Sequence, residues 1–205
     1  LTADELKYDV EKYSDILING KGGPVNKMGA CLYYKKAAEN GDAESMYNYA
    51  LLIRKGDGVD CNKKEAAFYF KKAADLDFRP SMNCYASMVQ NGEGINVNYN
   101  ESYQYYQMSA DKGNVEGLFN VGMALANGKG VDVNLEESCK FLKSAADNGH
   151  VEAMYNYGLM LENGRGVIKN KTEASKYYQM AGKKGHKPSM KKFNELANEA
   201  DCLIA

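Results

Sequence analysis

The chain of 205 residues has no tryptophan, three prolines and two histidines, and each scarcity removes a class of answer. With His150 and His186 as the only imidazoles, histidine-rich metal centres and histidine-based nucleophilic triads have little to draw on. No charge of one sign prevails: 26 basic residues face 27 acidic ones, for a net charge of -1. No overall field is therefore present to hold nucleic acid or an anionic membrane, and the lysines are spread through the whole chain. Long hydrophobic runs are also missing, since none approaches the roughly 20 apolar residues that a membrane helix needs.

Cysteine is present but unpaired in pattern. Cys31, Cys61, Cys84, Cys139 and Cys202 are odd in number and form no C-x-x-C pair. That usage fits buried or half-buried free thiols in a reducing compartment, with neither metal spacing nor a disulfide ladder. The sequence opens at Leu1 with neither an initiator Met nor a hydrophobic leader, which reads as an excised or processed piece. The expected compartment is the cytoplasm, with the ER lumen or another secretory compartment as the alternative. Two sequons, Asn100-Glu101-Ser102 and Asn170-Lys171-Thr172, would matter only in the latter.

Glycine, in contrast, is plentiful and placed by rule. Gly20-Lys21-Gly22, Gly56-Asp57-Gly58, Gly92-Glu93-Gly94, Gly128-Lys129-Gly130 and Gly164-Arg165-Gly166 each begin 36 residues after the last. Self-similarity at that length predicts a solenoid of helical hairpins, in which each unit packs mainly on its neighbours. The glycine phrases are not a nucleotide fingerprint, because they follow helices and lack a third glycine.

Aligning the units on this period exposes two helices. In the first, helix A, apolar or small residues recur at i, i+3, i+4 and i+7: Met46, Tyr49, Ala50, Ile53; Met82, Tyr85, Ala86, Val89; Leu118, Val121, Gly122, Leu125; Met154, Tyr157, Gly158, Leu161. The third position is always Ala or Gly, which predicts close approach of the paired helix. Helix A should end at the first glycine of each phrase in a left-handed C-cap. Helix B should then begin at Asn62, Asn98, Asn134 or Asn170, with Glu65, Glu101, Glu137 or Glu173 three residues on as a capping-box-like partner. Its buried stripe is expected to be Ala66, Tyr69, Phe70, Ala73 in one unit and Ala174, Tyr177, Tyr178, Ala181 in another. After His186 one more amphipathic stretch, with Met190, Phe193 and Ala197 on its buried side, reads as a capping helix.

The unit VEAMYNYGLMLENGRGVIKNKTEASKYYQMAGKKGH resembles the Sel-one-like repeat (SLR), a cousin of the tetratricopeptide repeat. The signature falls on Gly158, Gly164, Gly166, Val167, Ala174, Tyr178 and Ala181, and the helix B position where the family often has Trp holds Tyr33, Tyr69, Tyr105, Phe141 and Tyr177. The unit with Pro80, Ile95 and Ser109 departs most from the pattern. The expected fold is all-α: a right-handed α-solenoid of 36-residue helix-turn-helix repeats over 7–186 (7–42, 43–78, 79–114, 115–150, 151–186), closed by a C-terminal capping helix over 187–205. The resemblance implies a non-catalytic adaptor or scaffold that binds a protein or peptide. The alternative is a structural spacer within a larger assembly, or within a chain that carries a catalytic domain elsewhere.

Catalytic residues, cofactors and metals are not expected: no nucleophile elbow and no H-E-x-x-H occurs. His150 and His186 share one slot in successive units, which argues for a structural or solvent-facing role. The candidate binding residues lie on the part of helix A that the hairpin leaves open, the concave side by analogy with tetratricopeptide arrays. They are Tyr47, Leu51, Arg54, Lys55, Asn83, Glu116, Phe119, Met123, Tyr155, Leu159 and Glu162. Exposed aromatics and Met ringed by polar groups suit a partner's anchors, with the charges selecting that partner. The same side chains could equally pack against the next unit, and the pattern leaves both readings open. Asn48, Asn120 and Asn156, one slot along, are expected to bond the backbone of an adjacent repeat. Protein or peptide partners are thus expected, with neither nucleic acid nor membrane insertion.

Overall fold

The computed structural model describes residues 26–202. The first glycine phrase, the Gly23-Pro24 linker and the first helix A therefore lie outside the described residues, as does the side chain of Cys202. Among the described residues there are ten α-helices and no strand. They are α1 (Lys27–Glu39), α2 (Ala43–Lys55), α3 (Lys63–Asp75), α4 (Arg79–Asn91), α5 (Tyr99–Asp111), α6 (Val115–Asn127), α7 (Leu135–Asp147), α8 (Val151–Asn163), α9 (Lys171–Lys183) and α10 (Lys187–Cys202). Two compact units divide between Tyr105 and Tyr106, inside α5. In the first, α1, α2, α3 and α4 pack each on the next; in the second, α6, α7, α8, α9 and α10 do the same. The architecture is that of an α-solenoid of helical hairpins.

The local signals act as the sequence predicts, with one change in wiring. Each helix A ends at Gly56, Gly92, Gly128 or Gly164, with φ of 69°, 70°, 69° and 69°. Helix B starts where an Asn side chain accepts the N–H three residues on: Asn62 from Glu65 (3.1 Å), Asn134 from Glu137 (3.1 Å), Asn170 from Glu173 (3.0 Å). The Glu does not close a capping box on the Asn backbone. That N–H is already donated to helix A, as in Asn62 to the Ile53 carbonyl (2.7 Å) and Asn170 to that of Leu161 (2.9 Å). The Glu instead accepts from the Asn side-chain amide, at 2.9 Å for Glu65 and 3.1 Å for Glu137. Pro80 falls in the first turn of α4, where a missing N–H costs nothing, so this less faithful unit still forms its helix.

The small third position of helix A is required by its partner helix. A Cβ on Gly158 would lie 2.6 Å from the Tyr178 ring, and one on Gly122 would lie 2.8 Å from Leu142. Burial follows the expected stripes, with Ala66, Phe70, Ala73, Ala174, Tyr178 and Ala181 fully covered. At 13 residues each, these paired helices are too short to persist alone and depend on this packing. Two expectations hold only in part. On α10 Phe193 packs against the core and Met190 is half-buried, but Ala197 is exposed and the fully buried residues are Ser189 and Leu196. Among the thiols, Cys31 and Cys139 are buried and Cys84 is half-buried, but Cys61 is exposed in the linker, donating to the Arg54 carbonyl.

Candidate functional site

All the candidate residues lie on helix A, and most of their side chains are tied to the array. In the first unit Tyr47 is half-buried, set edge-on to Phe70 at 5.8 Å and tilted against Phe78 at 5.5 Å. Burial raises its pKa, and Cys84 beside it adds to the effect. Arg54 reaches across to Glu93 with two bonds, Nε to Oε2 at 3.2 Å and Nη2 to Oε1 at 2.9 Å. That fork lowers the pKa of Glu93, against the opposing effect of burial. Arg54 thus links its repeat to the next glycine phrase. Leu51 and Asn83 are half-buried, and Lys55 is exposed.

In the second unit two equivalent constellations recur. Phe119 stacks on the His150 ring at 4.4 Å, and Glu116 meets His150 Nε2 at 3.1 Å. Tyr155 lies 5.0 Å from the His186 ring, and Glu152 meets His186 Nε2 at 3.3 Å. Each histidine also uses Nδ1 in a helix cap, accepting the N–H of Ala153 (3.1 Å) or Ser189 (3.3 Å). The shared slot thus has a structural explanation: one ring nitrogen caps a helix and the other meets an acid of the preceding helix A. The hydrogen bond from His150 holds the Glu116 carboxyl below its ordinary pKa, outweighing burial. Glu162 is more enclosed. Burial opposes its ionisation, but hydrogen bonds from Tyr178 (2.6 Å) and Lys192 (3.0 Å) prevail, and the net shift is downward.

Between α6 and α8 a cleft of about 170 Å³ brings Met123 and Leu159 together. Its polar lining is Asn127, Asn156, Asn163 and Arg165. Here the structure corrects an expectation: Asn120 and Asn156 do not bond a neighbouring repeat. Each donates to the carbonyl four residues back in its own helix, Glu116 at 2.9 Å and Glu152 at 2.7 Å. A short amide reaches its own backbone more readily than a facing helix. Asn127 and Asn163 do the same with Met123 (2.7 Å) and Leu159 (2.8 Å). Asn127 and Asn163, absent from the expected site residues, stand in the sequence as Asn-Gly at the ends of α6 and α8. Among the described residues no group of three or more His, Cys, Asp or Glu is arranged to hold a metal, and no helix is long and apolar enough to cross a membrane.

The repeat geometry has counterparts elsewhere. The Sel1 repeat family model matches residues 12–42, 43–78, 80–114, 115–150 and 151–186. The chain belongs to the Sel1 repeat family. Sel1 repeats mediate protein–protein interactions and typically serve as non-catalytic scaffolds. Comparison with curated proteins gives no sequence match. Among solved structures, a protective antigen of uropathogenic Escherichia coli with an SLR fold superposes with a TM-score of 0.91 at 22% identity. That match covers 95% of this chain but only 42% of the antigen. A Sel1 repeat protein from Oxalobacter formigenes superposes with a TM-score of 0.85 at 25% identity, over 94% of this chain and 78% of its own.

Proposed function

We propose that this Sel1 repeat chain is a non-catalytic adaptor that binds an extended peptide segment of a protein partner along helix A of its second unit. The observation that carries the reading is the α6–α8 cleft, where Met123 and Leu159 offer an apolar floor beside the amides of Asn127, Asn156 and Asn163. An amide that spends one N–H on its own helix keeps a second N–H and a carbonyl for a peptide backbone. Apolar side chains between such groups supply the anchor pockets. Phe119 and Tyr155 stand one turn before Met123 and Leu159 and pack on the histidine caps, so their replacement by Ala should cost stability, about 1 kcal/mol each for the lost ring contact. Leu159 also packs partly on the core, so its variant is read together with a measure of folding.

The test is selection of peptides from a displayed library on the full chain, followed by titration against Leu159→Glu and the pair Asn127→Ala with Asn163→Ala. Selected peptides should bind the wild type and lose roughly tenfold or more with either variant, while urea unfolding of the variants stays near wild type. Peptides that bind all three proteins equally would place recognition elsewhere and sink the proposal. The spacer reading draws on the engagement of Arg54, Glu116 and Glu162 within the array itself. Failure to enrich any peptide would favour it.

A further inference from the structure

One repeat lacks a ring that the others supply for themselves. Tyr49, Tyr85 and Tyr157 occupy the same slot of helix A, and each meets the helix B aromatic edge-on. The centroid separations are 5.0 Å to Tyr69, 4.7 Å to Tyr105 and 4.9 Å to Tyr177. Two of these phenols donate to the helix B glutamate, Tyr49 to Glu65 at 2.9 Å and Tyr85 to Glu101 at 2.7 Å. In repeat 115–150 the slot holds Val121, and the helix B aromatic is Phe141.

Three neighbours register the loss. Met46, Met82 and Met154 are buried, but their equivalent, Leu118, is half-buried. Tyr69, Tyr105 and Tyr177 are buried, whereas Phe141 is half-buried. Glu65, Glu101 and Glu173 are half-buried, whereas Glu137 is exposed. These three uncovered residues line one open recess between α6 and α7, of about 400 Å³, together with Asn134, Glu136, Lys140 and Ser144. Val121 is fully buried beneath and does not itself line the recess.

We propose that this recess is a seat for a tyrosine side chain presented by a partner polypeptide, which completes the repeat as Tyr49 and Tyr85 complete theirs. The ring would lie edge-on to Phe141 and over Leu118. Its hydroxyl would donate to Glu137, whose counterparts accept just such a bond. The complementarity is specific: a neutral phenolic donor meets a carboxylate acceptor at the rim of an apolar floor. The seat is separate from the α6–α8 cleft and does not depend on peptide binding there.

The test titrates the full, isotope-labelled chain with p-cresol, toluene and N-acetyl-tyrosinamide and follows backbone and methyl resonances. Saturable shifts confined to Leu118, Glu137, Lys140 and Phe141 are expected with p-cresol and N-acetyl-tyrosinamide. Toluene should bind roughly fivefold more weakly, the worth of one net hydrogen bond. Glu137→Ala should erase that difference, and Val121→Tyr should abolish binding by filling the seat from within. Should Val121→Tyr not fold, the toluene comparison and Glu137→Ala still decide. No saturable shift with any probe overturns the proposal. So does binding of p-cresol without N-acetyl-tyrosinamide, which would mark a seat for free phenols.

Discussion

Gly166 offers the sharpest test of how the repeats are held in register. In each described phrase the second glycine has positive φ like the first, but its surroundings differ. Gly164 and Gly166 both have φ of 69°. At Gly164 an added Cβ would meet Lys169, its Cβ at 3.2 Å and its backbone no nearer than 3.6 Å, which is ordinary contact. At Gly166 it would lie 2.2 Å from the Leu135 carbonyl oxygen and 2.3 Å from the carbonyl carbon, which are backbone at the start of helix B in the preceding repeat. Gly94 has the same relation to Lys63 of its preceding repeat, at 2.4 Å. The left-handed conformation costs alanine about 1–2 kcal/mol, partly offset by the ~0.4–1 kcal/mol that alanine removes from unfolded-state freedom. Gly164→Ala should therefore lose roughly 1 kcal/mol. Gly166→Ala must in addition move backbone by more than about 1 Å to restore ordinary contact near 3.5 Å, a strain of ~1–3 kcal/mol. Urea unfolding followed by far-ultraviolet circular dichroism measures both, with Gly185→Ala as a control at φ 90° and nothing within 4 Å. Equal losses at 164 and 166 would refute the claim that the second glycine is a contact between repeats.

Two further outcomes follow from the described contacts. The Arg54 fork lowers the Glu93 pKa, so its stabilisation is full above the ordinary carboxylate pKa of about 4.3 and vanishes as pH falls through the lower folded-state value. Glu93→Gln should lower the neutral-pH unfolding free energy, by about 1 kcal/mol at most, and flatten its decline on acidification; an unchanged acid profile would count against the pair. Leu142→Ala removes a side chain that is 1% exposed and packed on Gly122, for an expected loss of 2–5 kcal/mol by the same unfolding assay. A loss below about 1 kcal/mol would mean that the hairpin closes over the gap.

The lengths and limits of the helices were legible because their signals are local. Asn before helix B and glycine after helix A act within one turn, and the 36-residue period aligned them across units. The candidate residues of helix A were legible as an aligned set, yet not their wiring. Asn120 and Asn156 bond their own helices, and Arg54 is held by Glu93, 39 residues away. Nothing in the local pattern distinguishes that arginine from a solvent-facing one.

The sequence by itself determined the all-α repeat, the family, the buried stripes and the absence of an overall charge field, since periodicity and composition act without reference to distant partners. Only the tertiary structure decided that the two histidines each join a cap to an acid and an aromatic ring, and that Leu118, Phe141 and Glu137 are left uncovered around one surface recess. A missing ring carries no local signal. It becomes a feature only when Leu118, Phe141 and Glu137 are brought around the space that the ring would have filled.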